Sequence, residues 1–173
     1  VTVASTGSTA TYPSANVAMS IGTGTNSFFS STASSLSYWG GNVIVGGQAV
    51  IYYGYIRFTG DLDVWIYNTE ANAQKMITVL NEFGFESLGL LKKDFMENDS
   101  IIQLGYEPDR IDIMTSVAGL DFATSYKRVV KTEYDGEEIF LISIDDLKIN
   151  KKAAGRLQDL TDLEKLINAK KKK

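Results

Sequence analysis

Two aspartates one residue apart open an otherwise apolar run, Asp61-Leu62-Asp63-Val64-Trp65-Ile66. No other stretch constrains the fold as strongly. In a β-strand alternate side chains share a face, so Asp61 and Asp63 point together while Leu62 and Val64 point to the opposite, packed face. Neighbouring carboxylates beside an apolar interior repel one another unless something positive lies between them. Arg110-Ile111-Asp112-Ile113-Met114 repeats the alternation with one carboxylate, and Ile111 and Ile113 take the packed face. The expected fold is therefore α+β: a mixed sheet with Asp61, Asp63 and Asp112 on one open face and helices packed on the other. Three carboxylates from neighbouring strands form a site for divalent cations. Two such ions, about 3.5–4 Å apart, can activate an attacking hydroxyl and stabilise a leaving pyrophosphate.

The 173-residue chain is long enough for one domain with a real core, and it contains no cysteine and no histidine. Disulfides, zinc-finger sites, thiol nucleophiles and histidine bases are excluded. A metal must then bind through oxygen, which points to Mg²⁺, Mn²⁺ or Ca²⁺. A Ca²⁺-binding module would need a dense oxygen-rich loop, which is not evident. The net charge of −4 gives no overall attraction to nucleic acid and leaves room for a local basic patch. No apolar run reaches the roughly 18 residues of a membrane span. The start of the chain lacks the charged opening of a signal peptide. The expectation is a cytoplasmic protein with no membrane partner.

Charge is absent before Arg57, and residues 1–40 are rich in Ser, Thr, Ala and Gly. A soluble surface is normally about one quarter charged. Residues 1–40 are therefore set apart as a low-complexity uncharged segment, to which no chemistry is assigned. Three readings stay open for it: a flexible leader, short strands with polar faces, or a stretch that does not record the encoded sequence. Residues 41–169 form the domain, and the lysines at 170–173 a basic tail.

Within the domain, strands are expected over Asn42–Val45, Thr59–Ile66, Ile101–Tyr106 and Arg110–Ser116, the last two joined by a turn at 107–109. A hairpin around Asp135-Gly136 joins Thr132–Tyr134 to Glu138–Ile144. A helix is expected after Gly46-Gly47. Another starts at Glu70, capped by Asn68 or Thr69, with Gly84 as its stop. Leu120–Val130, Asp145–Ala154 and Gln158–Ala169 complete the helices.

Taken singly, each motif has a plain reading. Gly-Gly is usually a turn, Asp-x-Asp a polar start to a strand, and Asp112 a solvated strand residue. Their combination is far more specific: an apolar run, Gly46-Gly47, thirteen residues, Asp61-x-Asp63 in an apolar strand, a helix, and a later strand with one Asp. This combination resembles the nucleotidyltransferase superfamily related to DNA polymerase β. Within it, Gly46-Gly47-Gln48-Ala49 and Gly54-Tyr-Ile-Arg57-Phe-Thr59-Gly-Asp61-Leu-Asp63 are similar to small bacterial nucleotidyltransferase-like proteins. Those are kin to the abortive-infection and toxin–antitoxin nucleotidyltransferases. The C-terminal run from Asp146 through Lys151, Lys152 and Arg156 to Asp159 and Asp162 resembles the same subgroup. The resemblance spans roughly residues 43–166. Before residue 40 the family has an amphipathic helix whose periodicity this sequence lacks.

The resemblance implies a nucleotidyltransferase fold and transfer of a nucleoside monophosphate from an NTP to a hydroxyl of an RNA, a protein or a small molecule. Asp61 and Asp63 would hold Mg²⁺ (or Mn²⁺), and Asp112 would complete the site as ligand or general base. Gly46 and Gly47 would face the phosphates. Arg57 would bind the triphosphate or brace its loop; a surface arginine at the head of a strand is the plain alternative. Thr59 belongs to the same motif, and its simpler role is a hydrogen bond within the turn. Lys151, Lys152 and Arg156 would form a second positive wall, against the plain reading of a solvated helix face. Tyr52, Tyr53 and Tyr55 either stack on a base or pack and cap locally. A toxin–antitoxin or phage-defence setting with a cognate partner protein is implied in the same way. The competing function is a non-catalytic binding or regulatory subunit that uses the fold for assembly.

Overall fold

The alternation in Asp61–Ile66 decides where the centre of the sheet lies. In the computed structural model, which describes residues 2–5, 8–11, 41–106, 110–134 and 137–169, this stretch is a strand whose Leu62, Val64 and Ile66 are almost completely buried. Burying such side chains contributes about 1.5–3 kcal/mol each. It forms β4 in a chain order of β1 (Thr2–Ser5), β2 (Ser8–Thr11), β3 (Asn42–Ile44), α1 (Gly46–Tyr52), β4 (Asp61–Ile66) and α2 (Glu70–Glu82). There follow β5 (Ile101–Leu104), β6 (Arg110–Met114), α3 (Phe122–Tyr126), β7 (Val130–Tyr134), β8 (Glu137–Leu141), α4 (Ile144–Ala154) and α5 (Leu157–Ala169). Short 3₁₀ turns at Glu86–Leu88 and Lys92–Phe95 lie between α2 and β5.

The sheet order is β2-β1-β5-β6-β4-β3-β8-β7. The β4–β6 and β3–β8 pairs are parallel and the others antiparallel. This is the mixed sheet of the expected α+β class. The parallel register sets Asp61 beside Arg110, Asp63 beside Asp112 and Trp65 beside Met114. Antiparallel β5 brings Gln103 opposite Asp112.

Local signals explain most of the helices. Thr69 caps α2 by accepting from the Asn72 amide, and the helix gives way at Phe83-Gly84, with Gly84 at φ +84°. Asn72 is buried, and its Nδ2 donates to the carbonyls of Gly41 and Tyr67, tying α2 to both strands at one end of the antiparallel β3–β4 pair. Ser143 caps α4 through the Asp146 amide, and Gly155 at φ +66° ends it.

Several boundaries differ from expectation. The helix expected over Leu120–Val130 is only Phe122–Tyr126: Asp121 caps it, and the β-branched Val130 instead opens β7, where it pairs with Leu141. Ile144 belongs to α4 and not to the preceding strand, because the Ser143 cap has already turned the chain. β4 starts at Asp61, since Thr59 is engaged in a side-chain bond to Asp61. The strands expected to reach Tyr106 and Ser116 stop at Leu104 and Met114.

The carboxylate face is open only at one end. Trp65 shares that face but is buried edge-on to Phe122, with ring centroids 4.9 Å apart. Phe122 in turn stacks between Tyr67 and Tyr126. This aromatic column covers the far half of β4 and leaves Asp61 and Asp63 at the exposed end. Within residues 1–40 only β1 and β2 are described, as an antiparallel hairpin whose first strand pairs with β5. The rest of that segment, the turns at 107–109 and 135–136, and the lysine tail at 170–173 lie outside the described residues.

Candidate active site

Strand alternation and the parallel β4–β6 register bring the three aspartates together. Asp61, Asp63 and Asp112 each offer a carboxylate oxygen, and these oxygens lie within 4.8 Å of one another. Asp112 is buried and the other two are partly buried. Each is held differently. Thr59 Oγ1 donates to Asp61 Oδ1 at 2.8 Å. Gln103 Nε2 lies 3.3 Å from both oxygens of Asp112. Asp63 Oδ2 accepts only a long bond, 3.4 Å, from the Gly47 amide among the described residues.

Arg110 joins two of the three. Its Nη2 donates to Asp61 Oδ2 at 2.8 Å, while Nε and Nη2 donate to the two oxygens of Asp112 at 2.8 and 3.1 Å. Among the described residues Asp63 has no such ion pair. Burial, then the charges of Asp61 and Asp112, push its carboxyl up to about 6, against smaller opposing effects from the Gly47 amide and Lys151. The site thus carries negative charge that is incompletely compensated. An oxygen-only donor set with that excess fits a hard divalent cation such as Mg²⁺ or Mn²⁺.

The glycine pair is explained by the same strand. Gly46 adopts φ +60°, and a Cβ there would overlap the Asp63 carboxylate. A Cβ at Gly47 would overlap Thr59 Oγ1. Both glycines allow α1 to start directly against the carboxylate strand, with the Val45 amide bonded to the Asp63 carbonyl at 3.0 Å.

A second ion network, centred on buried Asp159 and Asp162, adjoins the site. Arg57 makes a two-point bond to Asp162, Nε to Oδ1 and Nη2 to Oδ2, both 3.0 Å. Lys151 Nζ bridges Asp159 at 2.7 Å and Asp162 at 3.1 Å. Arg156 Nε reaches Asp159 Oδ2 at 2.8 Å, and Gln158 donates to Asp162. Burial alone would raise the Asp159 carboxyl, but hydrogen bonds from Lys151 and Arg156 outweigh it and hold the group below its ordinary range. Among the described residues three cations share two carboxylates, so this network is net positive.

A cavity of about 520 Å³ is bordered by Gly46, Gly47, the three aspartates, Arg57, Lys151 and Arg156. Of the residues singled out from sequence, Asp61, Asp63, Asp112, Gly46, Gly47, Arg57, Thr59, Lys151 and Arg156 all border it. Lys152 does not: it is exposed, one position around α4 from buried Lys151. Tyr52, Tyr53 and Tyr55 also stand outside the lining. Tyr53 donates to the Ile142 carbonyl at 2.7 Å and packs with Tyr55 against the core, the local role rather than base stacking. Arg110 and Gln103 were not singled out from sequence. Arg110 carries a usable signal, since it lies two residues before Asp112 and so on the same strand face. Gln103 has none short of knowing the β5–β6 register.

A mixed sheet that gathers three carboxylates beside a glycine-pair helix start defines a nucleotidyltransferase-like domain. The family described as "Nucleotidyltransferase of unknown function (DUF6036)" matches residues 31–170, and the chain belongs to that family. No curated protein matches the chain. Among the described residues no helix is long and apolar enough to cross a membrane.

Proposed function

We propose that the chain transfers a nucleoside monophosphate from a nucleoside triphosphate to a hydroxyl acceptor, using Mg²⁺ or Mn²⁺. The observation that carries this reading is the convergence of Asp61, Asp63 and Asp112 oxygens within 4.8 Å, at a cavity that Arg57, Lys151 and Arg156 also border. In the reaction the acceptor oxygen bonds to the α-phosphorus. The bond from that phosphorus to the bridging oxygen of the β-phosphate breaks, and pyrophosphate leaves with the electron pair. The acceptor proton passes to a carboxylate, for which Asp112 is the assigned group, or to water. The divalent ions, when bound, would activate the acceptor oxygen and neutralise charge on the phosphates.

The chain's own residues divide the work. Asp61 and Asp63 supply anionic ligands from one strand, and Gln103 fixes the plane of Asp112. Gly46 and Gly47 keep the backbone close enough for phosphates to approach. Lys151 and Arg156 supply positive charge on the phosphate side, Arg156 with its side chain largely in solvent. Arg57 and Thr59 act by bracing: one clamps the loop to Asp162 and the other orients Asp61.

Incubation with each labelled triphosphate, Mg²⁺ and cell extract, followed by sizing of the labelled product, tests the proposal. Label on RNA, protein or a small molecule identifies the acceptor class, and Asp63→Asn should abolish it. The motif resemblance supports a toxin–antitoxin or phage-defence setting with a cognate partner, which copurification would reveal. Metal binding without transfer from any triphosphate would favour the assembly subunit.

A further inference from the structure

Arg110 stands where a cation is needed. Its Cα is the register partner of Asp61 across the parallel β4–β6 pair, and it shares a strand face with Asp112. The guanidinium is therefore placed between the two carboxylates by the sheet itself. Three charge-assisted bonds result, at 2.8, 2.8 and 3.1 Å. Both oxygens of Asp112 and Oδ2 of Asp61 are directed at this one side chain, while Asp61 Oδ1 takes the Thr59 hydroxyl. Asp63, the third member, is outside the clamp.

A divalent ion shared among the three aspartates needs the same oxygens at close range, and it repels the guanidinium. Ion and arginine thus compete for Asp61 and Asp112. Arg110 also borders the cavity, so a released guanidinium stays within reach of a ligand there. We infer that Arg110 is an internal counter-cation that holds the divalent ion's place in the metal-free protein and is handed to the triphosphate when the ion enters. The inference rests on the metal site proposed above. It makes Arg110 a positioning residue whose removal affects the ion and the nucleotide in opposite directions. A bracing arginine would instead weaken both when removed, because the carboxylates would splay.

The test is a Mn²⁺ titration without nucleotide, read by the electron paramagnetic resonance signal of free Mn²⁺. It compares wild type, Arg110→Gln and Arg110→Lys. Removing a unit charge from ion-pair distance should tighten Mn²⁺ binding in Arg110→Gln by at least about tenfold. Arg110→Lys keeps the charge and should stay near wild type. With saturating Mg²⁺, a non-hydrolysable triphosphate should bind Arg110→Gln about tenfold more weakly than wild type. Equal or weaker Mn²⁺ binding by folded Arg110→Gln would overturn the inference and leave the metal site standing. If neither wild type nor Arg110→Gln binds Mn²⁺, the metal reading fails and this inference with it. Should Arg110→Gln not fold, the wild-type Arg110 Nε–H resonance decides: it should move on Mg²⁺ addition, and an unmoved resonance overturns the exchange.

Discussion

Replacing Asp63 by Asn should stabilise the metal-free protein, and the gain should depend on pH in a defined direction. Among the described residues Asp63 has no ion pair, and its carboxyl is pushed up to about 6 by burial and by the charges of Asp61 and Asp112. In the unfolded chain the group returns to about 3.9. Between these values the folded state holds more protons than the unfolded one. The stabilising contribution is fully present below about pH 4 and is lost as pH rises through about 6. A difference of about two pKa units corresponds to about 3 kcal/mol at about 1.4 kcal/mol per unit, an upper bound on the cost of the ionised group at neutral pH. Asn has the same shape, lacks the charge, and can accept the Gly47 amide through its carbonyl oxygen.

The assay is urea denaturation of wild type and Asp63→Asn in the presence of a chelator, at half-unit steps from pH 4 to pH 8. The variant's advantage should be near zero at pH 4 and level off above pH 7. In a chain of this size about 3 kcal/mol corresponds to about 6–12 °C in melting temperature. Saturating Mg²⁺ should close most of the gap. Wild type gains about 2.7 kcal/mol at a hundred times its dissociation constant, and the variant, short of one anionic ligand, gains less. A pH-independent difference, or a wild type that is the more stable of the two at pH 8 without metal, would refute the claim that Asp63 carries uncompensated charge.

On the proposed metal-dependent transfer, Asp63→Asn should also lower label transfer from triphosphate by orders of magnitude while remaining folded, because bound ions would supply several kcal/mol of transition-state stabilisation; single-turnover transfer measures this. Gly46→Ala should destabilise the fold by about 2 kcal/mol or more, since its Cβ overlaps the Asp63 carboxylate and its φ is positive; thermal melts read the loss. Asp162→Ala removes the fully buried partner of both Arg57 and Lys151 and should cost about 3–5 kcal/mol in denaturant unfolding, with Asp162→Asn recovering part of it. Lys152→Ala, outside the cavity, should leave triphosphate affinity within experimental error by calorimetry.

How far the sequence discloses this site depends on the range of the forces that build it. Alternation along one strand is local, so Asp61 and Asp63 are legible as a pair, and Asp112 joins them once a second alternating run is recognised. Glycines also act locally, and Gly46-Gly47 marks a tight start to α1, although the reason for it is the Asp63 and Thr59 side chains lying against the glycines. The helix over residues 120–130 fails because its periodicity competes with a pairing to β8 that only the assembled sheet supplies. The ion partners are the least legible. Arg57 meets Asp162 across more than a hundred residues, and Lys151 meets two aspartates of the following helix, so residues that look like a phosphate wall in sequence already have anionic partners. The reverse holds for Arg110. Its place two residues before Asp112 sets it on that residue's strand face, but only the parallel register brings its guanidinium onto Asp61 as well. A carboxylate cluster read from sequence alone is a cluster of charge. Which of its members is compensated by the protein follows from alternation along each strand taken together with the register between strands.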